Sequence, residues 1–367
     1  MGDPFAIDGH KLMYHPERVA AWQAAGDDWE RVRRIYPIYV EVAPVGACNH
    51  RCTFCSVDYI GYVKRRLPED VLCERLAEMA GLGVRSVMFA GEGEPLLHPR
   101  IGTIAARAAA AGLDVAFTTN GVALTDRFLE EALAATTWIK VSLNAGSRET
   151  YARIHQTEAR DFDRVIENLR RAVRHREVTK ADCTLGAQCL LLPENAEEIE
   201  DLARLCRDEL GIDYLVVKPY THNPAGLTRR YRDLDYRRYA DLGTRLRPLS
   251  TDRFHVIFRE RTLRHYLEDA SARYPVCGAT PFFAASVMAD GSVYSCQAHL
   301  LNPRFRLGNL LEHSFREIWE GEGRRANWLY VRKELDLGTC RRNCRMDKVN
   351  RYLDRLRRDP VPHVNFI

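Results

Sequence analysis

Short apolar runs alternate with amphipathic stretches from about residue 38 to residue 218. Residues 38–42, 85–90 (RSVMFA), 113–119 (LDVAFTT), 138–143 (WIKVSL), 183–192 and 214–218 (YLVVK) read as six strands. Helical patterning fills the gaps, at 68–81, 101–111, 126–135, 162–174 and 195–209. Repeated βα units imply a parallel sheet, whose strands, buried on both faces, read as near-continuous apolar runs. Residues 1–36 form a polar, aromatic extension with helical segments. Its HPERVAAWQAAGDDWERVRR places Pro16 early in a helix and a break at Gly26-Asp27-Asp28.

A barrel-like parallel sheet carries its chemistry at the carboxyl ends of its strands. The unusual residues fall there. CNHRCTFC (48–55) follows the first strand, GEGEP (91–95) the second, and TTNG (118–121) ends the third. Ser142 and Asn144 end the fourth, Asn195 follows the fifth, and Lys218-Pro219-Tyr220 ends the sixth. Strand parity places Lys140, Ser142 and Asn144 on one face. On the fifth strand Gln188 is the lone strongly polar residue, and Cys183 and Cys189 point away from it. Such a polar face has to meet a ligand or water, because unpaired buried polar groups are costly.

The chain has 367 residues, 46% hydrophobic and 28% charged, enough for a large core or two domains. Its formal charge of +4 supports no nucleic-acid partner. No apolar run approaches the roughly 18 residues of a membrane span, and MGDPFAIDGHK has no apolar signal core, so a cytoplasmic location with no membrane partner is expected. The eleven cysteines are therefore not read as disulfides. Cys73, Cys183, Cys189 and Cys206 are scattered and read as small hydrophobes.

The other seven form two groups. Cys48, Cys52 and Cys55 leave either a distant fourth ligand, with His50 a candidate for zinc, or an open metal position. Cys277, Cys296, Cys340 and Cys344 suffice for a zinc ribbon or for one [4Fe–4S] cluster with every iron ligated. Between Cys277 and Cys296, ADGSVYSC reads as a hairpin turning at Asp290-Gly291.

Cys48-x3-Cys52-x2-Cys55 after a first strand, with GEGEPLLHP after the second, resembles the radical S-adenosylmethionine (SAM) superfamily. The C-terminal cysteines, with LGNL and SFREIW, resemble the auxiliary-cluster domain of its SPASM/twitch subgroup, in the shorter twitch form. The resemblance implies an α/β fold: a partial (β/α)6 TIM-like barrel and a small C-terminal α+β twitch domain. It divides the chain into an extension (1–36), a barrel (37–220), a connecting, substrate-proximal segment (221–274), an auxiliary-cluster domain (275–346) and a C-terminal helix and tail (347–367).

It also implies two [4Fe–4S] clusters, with S-adenosyl-L-methionine on the open iron of the first. By position, Gly93 and Glu94 lie in the cofactor-binding motif, with Glu94 taking the ammonium group. Phe54 lies near the adenine, and Ser142 and Asn144 meet the ribose or methionine part. Asn120, Gln188 and Arg153 complete the cofactor contacts, Arg153 pairing with its carboxylate. Many relatives have Asp where this chain has Asn144.

The chemistry implied is one-electron cleavage of the cofactor to a 5′-deoxyadenosyl radical that takes hydrogen from a substrate C–H bond. Flavodoxin or ferredoxin would supply the electron. The favoured substrate is small and polyhydroxylated (a sugar, aminocyclitol or nucleotide sugar), oxidised at an alcohol, with Lys218, Tyr220 and His222 over the barrel mouth as its contacts. Alternatives are redox-neutral epimerisation or radical coupling of a carbohydrate, modification of a ribosomal peptide, and a non-enzymatic iron–sulfur scaffold. The 36 residues ahead of the barrel are too few for a winged-helix leader-binding module, and the polar strand ends argue against a scaffold.

Overall fold

A computed structural model describes residues 11–260, 262–263, 273–358, 362–363 and 365. The six expected strands are present: β1 Tyr39–Val42, β2 Ser86–Phe89, β3 Asp114–Thr119, β4 Trp138–Ser142, β5 Thr184–Leu191 and β6 Tyr214–Pro219. They pair in parallel, in chain order. Residues with one parity, such as Val42, Phe89, Phe117, Val141, Cys189 and Val217, join the main core. The opposite parity lines the inside of the curved sheet. There Met88, Ala90 and Ala116 cluster with Tyr39 and Trp138, and Glu41, Lys140 and Gln188 are buried polar residues. Gly186 sits on this face because a Cβ there would lie 2.2 Å from the Tyr214 ring.

Four further strands extend the sheet to the order β10-β9-β8-β1-β2-β3-β4-β5-β6-β7. β7 (His255–Phe258) adds in parallel to β6, so segment 221–274, expected as a connecting, substrate-proximal segment, supplies a strand. On the other edge β8 (Ala284–Val287) pairs in parallel with β1. β9 (Ser292–Tyr294) and β10 (Arg306–Asn309) complete an antiparallel ribbon. The auxiliary-cluster region is thus built on the barrel's own sheet. Its hairpin turns at Asp290-Gly291 as expected, with Gly291 at φ 83°.

Five crossover helices matter for the site: α1 Glu69–Gly81, α2 Ile101–Ala110, α3 Asp126–Ala132, α4 Arg148–His155 and α5 Arg160–Thr179. The N-terminal helices, Pro16–Ala25 and Trp29–Val32, pack on the C-terminal region. Trp22, Val32 and Ile35 share a core with Phe282, Phe283, Trp328 and Leu353. Arg324, fully buried, fastens this junction through the carbonyls of Val32, Arg33, Ile35, Pro281 and Trp319 at 3.0–3.2 Å. It has no carboxylate partner among these contacts, and burial lowers its pKa to about 9.

Candidate active site

The loop after β1 carries Cys48, Cys52 and Cys55, all half-buried free thiols. Burial pushes Cys48 up to about 11, reinforced by charge on Glu94 and Cys55 and opposed by the His50 N–H. Burial also raises Cys52, with Cys55 and Cys48 adding to the shift. Three mutually opposing thiols suit a cationic iron–sulfur unit, which deprotonates its ligands.

The motif after β2 locks onto this loop. Glu94 N–H donates to the Ala47 carbonyl at 2.9 Å. A Cβ on Gly93 would lie 2.3 Å from Val45 O and 2.4 Å from Ala47 O, so the loops can approach this closely only with glycine there. The Glu94 carboxylate is 3% exposed. It accepts from Leu96 N (3.0 Å), Thr119 Oγ1 (2.6 Å) and Asn120 N (2.7 Å). A carboxylate offers about four lone-pair sites, so one remains for the expected ammonium contact. Asn120 continues the link, donating through Nδ2 to Asn49 Oδ1 at 2.7 Å. Glu92 faces the C-terminal ribbon instead. It accepts from Arg65 at 3.2 Å and from Ala289 N at 3.3 Å, while Arg65 also reaches Asp290 at 3.2 Å.

The remaining expected contacts divide. Phe54 packs edge-on to His155, ring centroids 5.3 Å apart. Ser142 and Gln188 are register neighbours on β4 and β5, on the inner face. Asn144 departs from the expected parity, because β4 ends at Ser142 and Asn144 takes φ 59°. It is fully buried; its Oδ1 accepts from Leu190 N at 2.8 Å and its carbonyl from Asn195 Nδ2 at 2.7 Å. Arg153 is exposed on α4 and donates to the Glu194 carbonyl at 3.1 Å and to Thr150 at 3.3 Å. Tyr220 is not over the mouth. It is 3% exposed, its N–H bonded to Tyr236 Oη at 2.7 Å, because the chain turns inward after β6. Lys218, within β6, and His222, two residues past Tyr220, are half-buried.

Several neighbours escape sequence reading. His155, at the end of α4, is 1% exposed and lies with Nδ1 3.2 Å from Cys52 Sγ. Its ring stacks on Tyr151 at 4.2 Å, and burial lowers its pKa to about 3. Tyr151 and His155 are four residues apart on one helix face, a spacing that is visible in RETYARIH but not diagnostic. Among the described residues, His50, Cys52 and His155 are the group that brings ligand atoms within 4.8 Å of one another. Segment 221–231 clamps the cysteine loop. Asp58 accepts from Leu227 N (2.8 Å) and Thr228 N (2.9 Å), and Asn223 donates to Ser56 O at 2.8 Å.

The second thiol group converges at the edge of the ribbon. Burial raises Cys296, and charges on Cys344, Cys277 and Cys340 raise it further. Cys340 is pushed up to about 11 by burial, then by Cys277 and Cys344. Asn350 Nδ2 donates to Cys277 Sγ and Met346 N to Cys344 Sγ, each at 3.4 Å. These four thiols fit a cluster whose irons are all ligated. The residues following two of them, Gln297 and Arg345, reach back to Glu41 on β1.

The description "Radical SAM superfamily" matches residues 42–206, and "Iron-sulfur cluster-binding domain" matches residues 277–345. The chain is 33% identical over 197 residues to a GTP 3′,8-cyclase of Chlorobaculum tepidum, covering 53% of this chain and 57% of that protein. It is 32% identical over 179 residues to the dTDP-4-amino-4,6-dideoxy-D-glucose ammonia-lyase of Streptomyces venezuelae, covering 47% of this chain and 37% of that protein. The chain therefore spans well under two thirds of these curated relatives. In fold it resembles Streptococcus suis SuiB, solved bound to precursor peptide SuiA, at TM-score 0.62 and 19% identity, covering 88% of this chain and 73% of SuiB. No helix among the described residues is long and apolar enough to cross a membrane. With the cysteine loop, the Gly-Glu motif and the C-terminal thiols in these positions, the chain carries a radical SAM domain, which implies S-adenosylmethionine and a [4Fe–4S] cluster, and a SPASM-type auxiliary iron–sulfur domain.

Proposed function

We propose that this enzyme oxidises an alcohol carbon of a small polyhydroxy substrate: a sugar, an aminocyclitol or a nucleotide sugar. The observation that carries the reading is the meeting of both thiol-bearing loops at the inner face of β1, where Val57, Glu92 and Gln297 line a narrow gap beside Glu41. Val57 lies two residues past Cys55, and Gln297 directly follows Cys296, so a substrate entering between these loops would meet both thiol groups. Glu41 and Glu92 are buried acceptors at this junction, and a substrate's hydroxyls gain orientation from a few such groups.

Bound S-adenosylmethionine and its [4Fe–4S] cluster supply hydrogen-atom abstraction. The chain's part is to orient the substrate and exclude water. Turning an alcohol into a carbonyl removes a second electron and a proton after that hydrogen atom. Cys277, Cys296, Cys340 and Cys344 are the residues that would hold an electron acceptor beside this junction. Flavodoxin or ferredoxin would supply the reducing electron at the first cluster.

The thiol inventory favours oxidation over epimerisation. Epimerisation needs a hydrogen donor on the opposite face of the carbon, commonly a thiol. Cys73, Cys183, Cys189 and Cys206 are all in the main core, 9% exposed or less. The other seven sit in the two ligand groups. The similarity to an aminosugar ammonia-lyase supports the substrate class.

The test is anaerobic turnover of the reconstituted protein with deuterated nucleotide sugars and aminocyclitols. Label should move into 5′-deoxyadenosine, with one cofactor consumed per carbonyl formed. Label transfer from peptides alone would overturn the substrate class. Transfer from a sugar with product at the starting oxidation level would overturn the reaction.

A further inference from the structure

His155 is held tightly and faces the cysteine loop from the side of α4. Tyr151 stacks on its ring, and Phe54 and His50 meet it edge-on at 5.3 and 5.2 Å. Its two nitrogens meet different neighbours. Nδ1 is 3.2 Å from Cys52 Sγ. Nε2 is 3.2 Å from the Leu143 carbonyl and 3.4 Å from Asn144 Nδ2.

The Asn144 amide has only one orientation open to it. Its Oδ1 accepts the Leu190 N–H at 2.8 Å, so its NH2 group faces His155. Nε2 is thus flanked by one acceptor and one donor, and either ring tautomer finds a partner there. With the proton on Nε2, the ring donates to Leu143, and the bare Nδ1 accepts the Cys52 S–H. With the proton on Nδ1, the ring donates to the Cys52 sulfur, and Nε2 accepts from Asn144. A thiolate bound to iron has no proton to give, so only the second arrangement suits a loaded site.

We propose that His155 is a positioning residue of the first cluster, donating Nδ1–H to the Cys52 sulfur when iron is bound. The Leu143 carbonyl and Asn144 amide let the same ring serve the thiol before loading and the thiolate after it. This rests on the cluster reading of Cys48, Cys52 and Cys55. Outer partners of this kind orient ligands and tune the metal. An N–H directed at a ligand sulfur stabilises the more negative, reduced cluster, so it raises the reduction potential.

The test compares full-length, anaerobically reconstituted wild type with His155→Phe, His155→Gln and Asn144→Asp. The readout is an electron-resonance redox titration of the cluster whose signal changes on adding S-adenosylmethionine. His155→Phe should titrate at a more negative potential. His155→Gln, which keeps an N–H, should recover part of the shift. Asn144→Asp should also shift negative with the ring in place, because its carboxylate holds the proton on Nε2. An unchanged midpoint in iron-loaded His155→Phe overturns the proposal. If that variant does not load iron, Asn144→Asp decides alone, and an unshifted midpoint there overturns it. Wild type that binds one zinc at His50, Cys52 and His155, with no cluster absorption, overturns the cluster reading itself. An intact cluster with unshifted variants overturns only the role of His155.

Discussion

The Arg345 guanidinium donates to the Glu41 carboxylate at 2.8 Å, joining positions 304 residues apart. Arg345 directly follows Cys344, and Glu41 is on the inner face of the first strand. Tyr39 Oη donates to the same carboxylate at 3.0 Å, and Gln297, next to Cys296, donates to its other oxygen. One buried carboxylate thus gathers both auxiliary loops against the inner face of β1.

The two partners of that ion pair are not equally exposed. The Glu41 side chain is 4% exposed and that of Arg345 31%. Arg345→Met leaves an unpaired buried carboxylate and should cost about 3 kcal/mol. Glu41→Gln leaves a cation that water can reach and should cost less. Urea unfolding of the reconstituted proteins checks the order; a larger loss in Glu41→Gln would contradict it.

Glu94 organises the cofactor side of the barrel from within. Glu94→Ala removes the acceptor for Leu96 N, Thr119 Oγ1 and Asn120 N. Losing a charged acceptor from buried donors costs about 1.5–3 kcal/mol per contact. The variant should therefore lose stability as well as cofactor affinity. Calorimetry with S-adenosylmethionine and thermal unfolding, run in parallel, check this. Lost affinity with unchanged stability would mean that the carboxylate serves the ligand alone.

Arg324 places a guanidinium against five carbonyls with no anion among them. Arg324→Met keeps the stem but strands those acceptors, and should cost about 3 kcal/mol or more. Limited proteolysis should then cut first in residues 11–36, which dock on this side chain. Cleavage that starts in the barrel helices would show that the extension is held by its apolar contacts.

Iron content separates the two thiol groups. Two fully formed clusters correspond to about eight irons per chain. Replacing Cys48, Cys52 and Cys55 together by Ala should leave about four, and Cys340→Ala/Cys344→Ala should leave about four of the other kind. Iron and zinc analysis of folded protein checks this; stoichiometric zinc at the C-terminal four would remove the auxiliary cluster.

The cysteine spacing and the six strands were legible in the sequence because both are local. A cluster-binding loop needs its thiols within a few residues, and a doubly buried strand needs a short continuous apolar run. The scattered cysteines were legible too, as lone apolar positions: Cys189 lies in β5 and Cys73 on the buried side of α1. What the tertiary structure alone decided lies where chain ends meet. β8 is Ala-Ala-Ser-Val, with little strand signal of its own, and becomes a strand because β1 has a free edge. β7 is a half-exposed edge strand. Parity failed at Asn144 because alternation holds only while the strand continues, and β4 stops at Ser142. Tyr220 turned inward for the same reason, one residue past the end of β6. His155, Arg324 and Arg345 act across about a hundred residues or more, and a side chain's long-range partner is set by packing, which periodicity does not encode.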